Sequence, residues 1–185
     1  MEAGQEKLTG IILHMEKSMP TKITFKPRPS TGWIWVGAIG VIVASIGVGL
    51  AARLGFTGPF LVTTLIALAI GIGFLLLAAF FPTMRYEIED SRLVISYGPL
   101  LRYMLDLSEI KNIRRCNLGA SVISSFRFPG LALFGIPYPE VGKVNMCATS
   151  AGNGILLIET GTQKYGITPA NESVFVAELH KRMRQ

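Results

Sequence analysis

The sequence predicts a two-helix transmembrane hairpin followed by a small, mainly β domain, in which seven antiparallel strands form a barrel or sandwich closed by a C-terminal amphipathic helix. Three observations support this fold class. Two uncharged apolar runs lie close together, the periodicity then changes from helical to two-residue, and one amphipathic helix ends the sequence. The chain accordingly divides into a polar arm (1–32), the hairpin (33–81) and the β domain (83–185).

The two apolar runs span residues 33–52 and 60–81, and neither contains an ionisable side chain. Each has about the ~20 residues that an α-helix needs to cross the ~30 Å hydrocarbon core of a bilayer. The connection between them carries glycines and a proline, which are typical of a tight turn. A buried helix pair in a soluble protein is the alternative, but adjacent unbroken runs of this length favour a transmembrane hairpin.

Small residues form a stripe on each predicted helix. At the three-and-four spacing that places residues on one face, the first helix carries Gly40, Ala44, Gly47 and Ala51, and the second carries Thr64, Ala67, Gly71 and Ala78. Such stripes let helix backbones approach closely. They indicate packing within the hairpin or, alternatively, contact between copies in a homo-oligomer.

Basic residues flank one side of the hairpin. Lys17, Lys22, Lys26 and Arg28 precede the first run, Arg85 and Arg92 follow the second, and the turn holds only Arg53. Because positively charged flanks tend to stay in the cytoplasm, we expect a multi-pass protein of the cell membrane with both termini cytoplasmic.

The polar arm allows more than one local structure. Leu8, Ile11, Ile12, Met15 and Met19 have helical spacing, which predicts either a short amphipathic helix on the membrane surface or a disordered segment. Between Lys22 and Lys26 polar and apolar residues alternate, which indicates either an edge strand or a linker.

Charge and cysteine content narrow the class of protein. The net charge is +6, but lysine and arginine are spread along the chain without a nucleic-acid motif. We therefore expect attraction to anionic lipid rather than to nucleic acid. Cys116 and Cys147 are too few for a disulfide scaffold and lack metal-ligand spacing, so we expect two reduced, packed thiols in a cytoplasmic domain.

After Pro82 apolar and polar residues alternate, as in half-buried strands. The predicted strands are 84–89, 92–97, 102–107, 110–116, 143–148, 155–160 and 164–168, of which 110–116 is less regular and 155–160 is a buried strand. A helix then begins after Pro169, with Phe175, Leu179 and Met183 on one face. This order predicts a small antiparallel barrel that the helix closes.

The stretch 117–141 breaks the strand pattern because it is long and apolar. An ordinary loop in so small a domain is a few residues long and polar. Three outcomes could hide this surface: it folds back as core and an extra strand, dips into the bilayer interface, or docks a protein partner. We place the function here. The candidate partner-binding residues are Phe126, Arg127, Phe128, Phe134 and Tyr138.

Short motifs of the β region follow one another in a characteristic order. They are Tyr86-x-Ile88-x-x-x-x-Leu93-x-Ile95-x-x-Gly98, then Asp106-Leu107-Ser108-Glu109-Ile110, then Arg127-x-x-Gly130 to Gly135 with Gly142, and Tyr165-x-Ile167-x-Pro169 with Phe175 and Leu179. With two membrane spans directly before them, they resemble the bacterial membrane-anchored pleckstrin-homology (PH)-like proteins, from Phe25 to Arg184. The resemblance implies a PH-like fold and membrane placement, and it carries over no enzymatic activity and no defined ligand.

The sequence contains few residues that could form a catalytic site. The histidines are His14 and His180, the aspartates are Asp90 and Asp106, and no set of Ser, His and acid suggests itself. The glycines around Asn153 precede a strand, whereas a phosphate-binding loop precedes a helix. We therefore predict a protein without enzyme activity, catalytic residues, metal or cofactor.

Two functions fit these expectations. The first is a protein-interaction or assembly module for an unknown protein partner, displayed on the membrane. The alternative is a module that senses anionic-lipid headgroups at the inner membrane surface through Lys111, Arg114 and Arg115, although an ordinary solvated strand edge also explains these residues. The first hairpin turn, 87–92, is mostly acidic, so the resemblance does not extend to inositol-phosphate binding.

Overall fold

The computed structural model describes residues 22–54, 58–119 and 127–184. The predicted surface helix of the arm and Phe126 therefore lie outside the described residues. Three α-helices and ten strands make up the described part, and the strands form two sheets.

The two apolar runs form a helical hairpin. Helix α1 spans Gly32–Leu54 and helix α2 spans Pro59–Ala79. Their most apolar windows have mean hydropathies of 2.3 and 2.6, and 17% of each window is buried. Bulky side chains such as Ile42 and Leu65 are more than half exposed, at 60% and 52%. Both helices are long and apolar enough to cross a membrane, and their exposure is unlike that of core helices, which bury such residues.

The small-residue stripes pack the two helices against each other. A Cβ atom at Gly71 would lie 2.7 Å from the backbone nitrogen of Ala44, and one at Gly47 would lie 3.0 Å from the side chain of Leu68. The backbones approach this closely only because these positions carry no side chain. The stripes therefore serve packing within the hairpin, which is the first of the two interpretations above.

The first sheet contains four antiparallel strands in sequence order. They are β1 (Ile23–Phe25), β2 (Met84–Ile88), β3 (Arg92–Tyr97) and β4 (Leu101–Asp106). Strand β1 shows that the stretch before the prolines is an edge strand, with Phe25 opposite Tyr86 of β2. Because β1 precedes α1 and β2 follows α2, this sheet carries both connections to the hairpin.

The second sheet contains six strands in the order β5-β9-β10-β8-β7-β6. They are β5 (Ile110–Cys116), β6 (Arg127–Phe128), β7 (Leu131–Tyr138), β8 (Gly142–Ala148), β9 (Ile155–Thr160) and β10 (Lys164–Ile167). Strands β8 and β10 run parallel, which departs from the predicted all-antiparallel arrangement. Helix α3 (Glu172–Met183) follows the last strand.

The prediction of seven strands in a barrel or sandwich is wrong in its strand count and in its barrel alternative. The described residues contain ten strands, and β4 does not pair with β5, so the sheets form an open sandwich rather than a closed barrel. The additional strands are β1, β6 and β7, and the last two come from the stretch predicted as a loop. Strand β7 lacks polar–apolar alternation because both of its faces are buried: Leu133 contacts one hydrophobic core and Ile136 another.

The two cores lie on the two faces of the six-stranded sheet. The larger core lies between the sheets and includes Ile95 and Ile158, whereas the smaller includes Leu157, the neighbour of Ile158 in β9. Helix α3 covers the larger core with Phe175 and Leu179, which are fully buried, as the sequence predicts. Met183 was expected on the same face but is 37% exposed, because it lies at the end of the helix.

Candidate functional site

The domain is attached to the hairpin by a set of contacts that we call the joint. Its residues are Ser30, Gly32, Val36, Phe74, Leu77, Tyr97, Phe128 and Gly130. Val36 of α1 and Leu77 of α2 are buried and belong to the larger core of the domain. The core of the domain therefore continues into the hairpin.

Hydrogen bonds fix the joint at two points. The hydroxyl of Tyr97, at the end of β3, donates to the carbonyl oxygen of Leu77 over 2.6 Å. The hydroxyl of Ser30 donates to the carbonyl oxygen of Gly130 over 2.7 Å and accepts from the amide of Gly32 over 3.1 Å. Burial raises the pKa of Tyr97, so its phenol stays protonated and able to donate.

The closest backbone approach in the joint is between Gly32 and Gly130. A Cβ atom on Gly32 would overlap the carbonyl group of Gly130, and Gly130 itself has a φ of +82°, which favours glycine. Next to this contact the rings of Phe74 and Phe128 meet edge to face, with centroids 5.8 Å apart. The β6–β7 turn is thereby held against both helices.

A surface cavity of about 330 Å³ lies beside the joint, where the chain enters α1 and leaves α2. Residues 24 and 26–29 form one wall and residues 81–85 form the other. Among the described residues, its lining contains three basic side chains and no acidic one: Lys26, Arg28 and Arg85. Both walls adjoin the ends of apolar helices, so the cavity combines positive charge with apolar surface.

The three cations of the cavity differ in their partners. A terminal nitrogen of Arg28 lies 3.6 Å from a carboxylate oxygen of Glu172. Nε of Arg85 lies 3.1 Å from a carboxylate oxygen of Glu87. In the part of the chain that the structure describes, the ammonium group of Lys26 has no ion pair and is exposed. Lys26 is therefore the cation of the cavity most open to an external anion.

The structure does not bring Lys111, Arg114 and Arg115 together in one patch. They lie along β5, the edge strand, in which successive side chains point to opposite faces. Arg114 lies 3.2 Å from Glu159, whereas Arg115 lies 3.9 Å from Glu172. Lys111 sits where the pairing of β5 with β9 is irregular. The three predicted headgroup residues thus face different surroundings.

Glu159 of β9 accepts hydrogen bonds from two side chains of β5. Hydrogen bonds from Asn112 and Arg114, at 3.0 Å and 3.2 Å, lower the pKa of its carboxyl group, with a further contribution from the charge of Lys164. Arg114 is consequently held against Glu159 through one of its terminal nitrogens.

The candidate partner-binding residues lie in several environments. For Arg127 only the backbone is described, in β6. Phe128 and Phe134 are half-buried and pack against the larger core. Tyr138 is 2% exposed, and its hydroxyl donates to the carbonyl oxygen of Ala151 over 2.7 Å. The structure therefore assigns Tyr138 to the core and leaves parts of Phe128 and Phe134 at the surface.

Phe134 has a strained backbone. Its φ is +64°, and it is the one non-glycine residue with positive φ in the described ranges. The left-handed conformation costs a bulky residue roughly 1–2 kcal/mol. It turns the ring of Phe134 towards the same core as its neighbour Leu133, against the alternation of a regular strand. Strain of this kind tends to cluster at functional sites, which supports Phe134 as a candidate.

The end of the domain away from the joint, which we call the distal end, pairs its charges internally. Strand β3 runs from Arg92 at the distal end to Tyr97 in the joint. Nε of Arg92 lies 2.9 Å from Asp106. The guanidinium of Arg182, with a side chain only 6% exposed, lies 2.8 Å from Glu178 and 3.5 Å from Asp90. The hydrogen bond from Arg182 lowers the pKa of Glu178.

The titratable groups deepest in the domain are a phenol and a thiol. Burial raises the pKa of both Tyr86 and Cys147, so both are protonated at neutral pH. The hydroxyl of Tyr86 donates to the carbonyl oxygen of Cys147 over 2.9 Å. A protonated thiol in apolar surroundings is a poor nucleophile. Within the described ranges, no group of His, Cys, Asp and Glu is arranged to hold a metal ion.

A two-sheet sandwich covered by a C-terminal helix and held on two long apolar helices defines the class: a PH-like domain joined to a helical hairpin. The chain belongs to the bacterial PH domain family, whose model matches residues 84–183, from the first residue of β2 to the last residue of α3. The resemblance to this family is confirmed. The chain matches no curated protein and no solved structure. PH domains are generally non-catalytic modules.

The sequence identifies the cations of the cavity only as flanks of the apolar runs. Their convergence depends on the pairing of β1 with β2, which sets Phe25 opposite Tyr86 and so places Lys26 beside Arg85. The alternation of polar and apolar residues from Lys22 to Lys26 is the pattern that points to this pairing. That pattern is compatible with a linker as well, so sequence alone does not define the cavity.

Proposed function

We propose that α1 and α2 anchor the PH-like domain in the cell membrane, where the domain acts as a non-catalytic protein-interaction or assembly module. The observation that carries the proposal is the joint. Because Val36 and Leu77 share one core with the domain, the domain keeps one orientation relative to its anchor. It then presents the same surface at the same height above the bilayer, which suits assembly with a partner that is also confined to the membrane.

The charge distribution supports an orientation with both termini in the cytoplasm. Lys22, Lys26, Arg28 and Arg85 lie at the joint end of the hairpin, and Arg53 is the basic residue at its other end. By the tendency of basic flanks to remain inside, the joint and the domain are cytoplasmic and the turn at 55–58 is outside.

The orientation is tested by thiol labelling in intact cells. In a chain in which Cys116 and Cys147 are replaced by alanine, T57C should react with a membrane-impermeant reagent, whereas R184C should react only after the cells are opened. Labelling of R184C in intact cells would show that the orientation is wrong.

The surface around Phe134 is the favoured partner site, because it combines a half-buried aromatic ring with strained backbone. A photo-crosslinking amino acid at position 134 should yield a discrete adduct in native membranes. The matched control is position 104, where Met104 is 60% exposed on the edge strand β4. An adduct of twice the mass of the chain identifies a homo-oligomer, whereas identical products from both positions, or none from position 134, would remove this surface from consideration.

Headgroup sensing by Lys111, Arg114 and Arg115 receives less support. Arg114 is held by Glu159 and Arg115 points towards Glu172, so the three cations do not converge on one ligand. We therefore favour the protein-interaction function for the domain as a whole.

A further inference from the structure

We propose that the cavity beside the joint binds the phosphodiester headgroup of one anionic phospholipid. The inference rests on the membrane placement of α1 and α2 proposed above and not on the identity of a protein partner. It assigns a ligand class to Lys26, Arg28 and Arg85, which neither the family match nor the packing of the fold explains.

The position of the cavity matches the depth of lipid headgroups. One wall ends at Pro29, just before α1 begins at Gly32, and the other begins at Phe81, just after α2 ends at Ala79. Spans of this length leave the hydrocarbon core at their ends, where phosphates and tryptophans concentrate. Trp33, which is 49% exposed at the start of α1, marks the same level. A lipid beside the hairpin therefore carries its phosphate at the height of the cavity.

The charges of the cavity suit a phosphate group. Arginine presents a planar set of donors that matches phosphate oxygens, and lysine adds a compact positive charge. Arg85 lies on β2 and Lys26 directly follows β1, which pairs with β2, and both residues line the cavity. Basic pockets at the cytoplasmic ends of spans are typical sites for anionic headgroups.

Neighbouring acids do not cancel this positive charge. Glu87 is 6% exposed, and both Arg85 and Lys22 contact it, at 3.1 Å and 3.0 Å. The contact with Arg85 uses Nε, which leaves the terminal nitrogens of the guanidinium for another acceptor. Glu172 is likewise shared, between Arg28 and Arg115. Two carboxylates thus face more cations than they can neutralise, and Lys26 adds a further one.

The size and the walls of the cavity favour a headgroup over an acyl chain. Its volume of about 330 Å³ is at the lower end of the ~300–1,000 Å³ typical of ligand sites. Phe81 and Pro82 supply apolar surface for the glycerol part of the lipid. The acyl chains then continue along the exposed apolar face of α2, where Leu76 is 50% exposed.

The test measures lipid retention by the full-length chain. Protein purified in a mild detergent is incubated with phosphatidylglycerol and analysed by native mass spectrometry. The cavity variant is K26Q/R85Q, and the matched control is K111Q/R114Q, which removes one lysine and one arginine from exposed positions of β5. K26Q alone serves as a second variant, because it leaves the contact of Arg85 with Glu87 intact.

Wild type and control should each retain one phosphatidylglycerol molecule. The affinity of K26Q/R85Q for this lipid should be lower by a factor of about ten or more, and that of K26Q should lie between the two. Equal retention by all variants would overturn the proposal, as would an equal loss in the control, which indicates diffuse attraction. Phosphatidylcholine should be retained less than phosphatidylglycerol, and equal retention of both contradicts an anionic site. Displacement of the lipid by an equal concentration of inorganic phosphate would show a site for free phosphate instead.

Membrane insertion is followed separately by the thiol labelling described above. If K26Q/R85Q inserts in the proposed orientation and retains lipid as wild type does, only the lipid site is refuted. If the wild-type hairpin does not insert, the membrane anchoring proposed above fails, and the lipid site fails with it.

Discussion

The charged and polar groups near the two ends of strand β3 have different kinds of partner. At the distal end Arg92 pairs with Asp106, and Arg182 lies between Glu178 and Asp90. At the joint end the phenol of Tyr97 binds a helix carbonyl, and the cations of the nearby cavity outnumber their acids. Charged groups that pair with each other within the domain contribute to its stability. An excess of positive charge at the ends of the hairpin helices is instead explained by a partner outside the chain, which we propose to be an anionic lipid.

The two ends also differ in what holds them. The contacts of the joint are buried: Leu77 is 7% exposed and Val36 is fully buried. The pair of Arg92 and Asp106 is open to water, with side chains 58% and 50% exposed. Because buried packing is worth more than exposed ion pairs, substitutions in the joint should destabilise the protein more than substitutions at the distal end.

The largest effect is expected for Gly32→Ala, because the new methyl group overlaps the backbone of Gly130. We expect a loss of ~1–3 kcal/mol of unfolding free energy, measured as a lower Tm of the full chain in detergent. Gly49→Ala is the matched control in the same helix, since a Cβ atom there meets nothing within 4 Å. Equal melting temperatures for the two variants would show that the joint is not tightly packed.

A smaller effect is expected for Tyr97→Phe, which removes only the hydrogen bond to Leu77. The expected loss is ~0.5–1.5 kcal/mol. Tyr103→Phe is the control, because the hydroxyl of Tyr103 has no hydrogen-bond partner among the residues that the structure describes. Thermal unfolding of both variants under one condition separates a bond of the joint from a general effect of losing a hydroxyl.

Outside the joint, Glu159 of β9 predicts a dependence of stability on pH. Hydrogen bonds from Asn112 and Arg114 hold its pKa below the ordinary value of 4.5. A carboxyl group with a lowered pKa in the folded state stabilises the protein above its unfolded pKa, and this contribution is lost as the pH falls through the folded pKa. Wild type should therefore melt higher than E159Q near neutral pH, and the difference should shrink as the pH falls below the ordinary value of 4.5 and vanish once Glu159 is protonated in the folded state. A difference that stays constant throughout the acid range in which the protein stays folded would contradict the assignment.

The smallest effect is expected for Arg92→Gln, because both partners of this pair are exposed. The loss should be ~0.2–1 kcal/mol and should shrink further at high salt. A loss as large as that of Gly32→Ala would contradict the predicted difference between the two ends.

The sequence predicts those parts of the molecule in which one periodicity dominates. The hairpin, strands β2 and β3 and the buried face of α3 follow from helical or two-residue patterns. Strand β7 does not, because Leu133 and Ile136 serve opposite cores and the apolar run then resembles a collapsed loop. Long-range contacts cannot be predicted from local patterns either. No local pattern indicates that Gly130 lies against Gly32, or that Lys26 lies near Arg85.

The composition of the candidate site likewise depends on the tertiary structure and not on the local sequence pattern. The predicted headgroup residues Lys111, Arg114 and Arg115 are neighbours in sequence, but the pleat of β5 points Arg114 and Arg115 to different faces. The cations that do share a cavity come from segments on either side of the hairpin, which only the tertiary fold brings together.

The central claim is that the joint end of the domain faces the membrane while the distal end faces water. It is tested most directly by spin labels in the full chain in liposomes, with Cys116 and Cys147 replaced by alanine. One label is placed at L100C, in the turn next to Tyr97, and the other at S91C, in the distal turn. We predict that lipid-soluble oxygen relaxes the label at position 100 more strongly, and that a water-soluble nickel complex relaxes the label at position 91 more strongly. Equal access of the nickel complex to both labels would contradict the account.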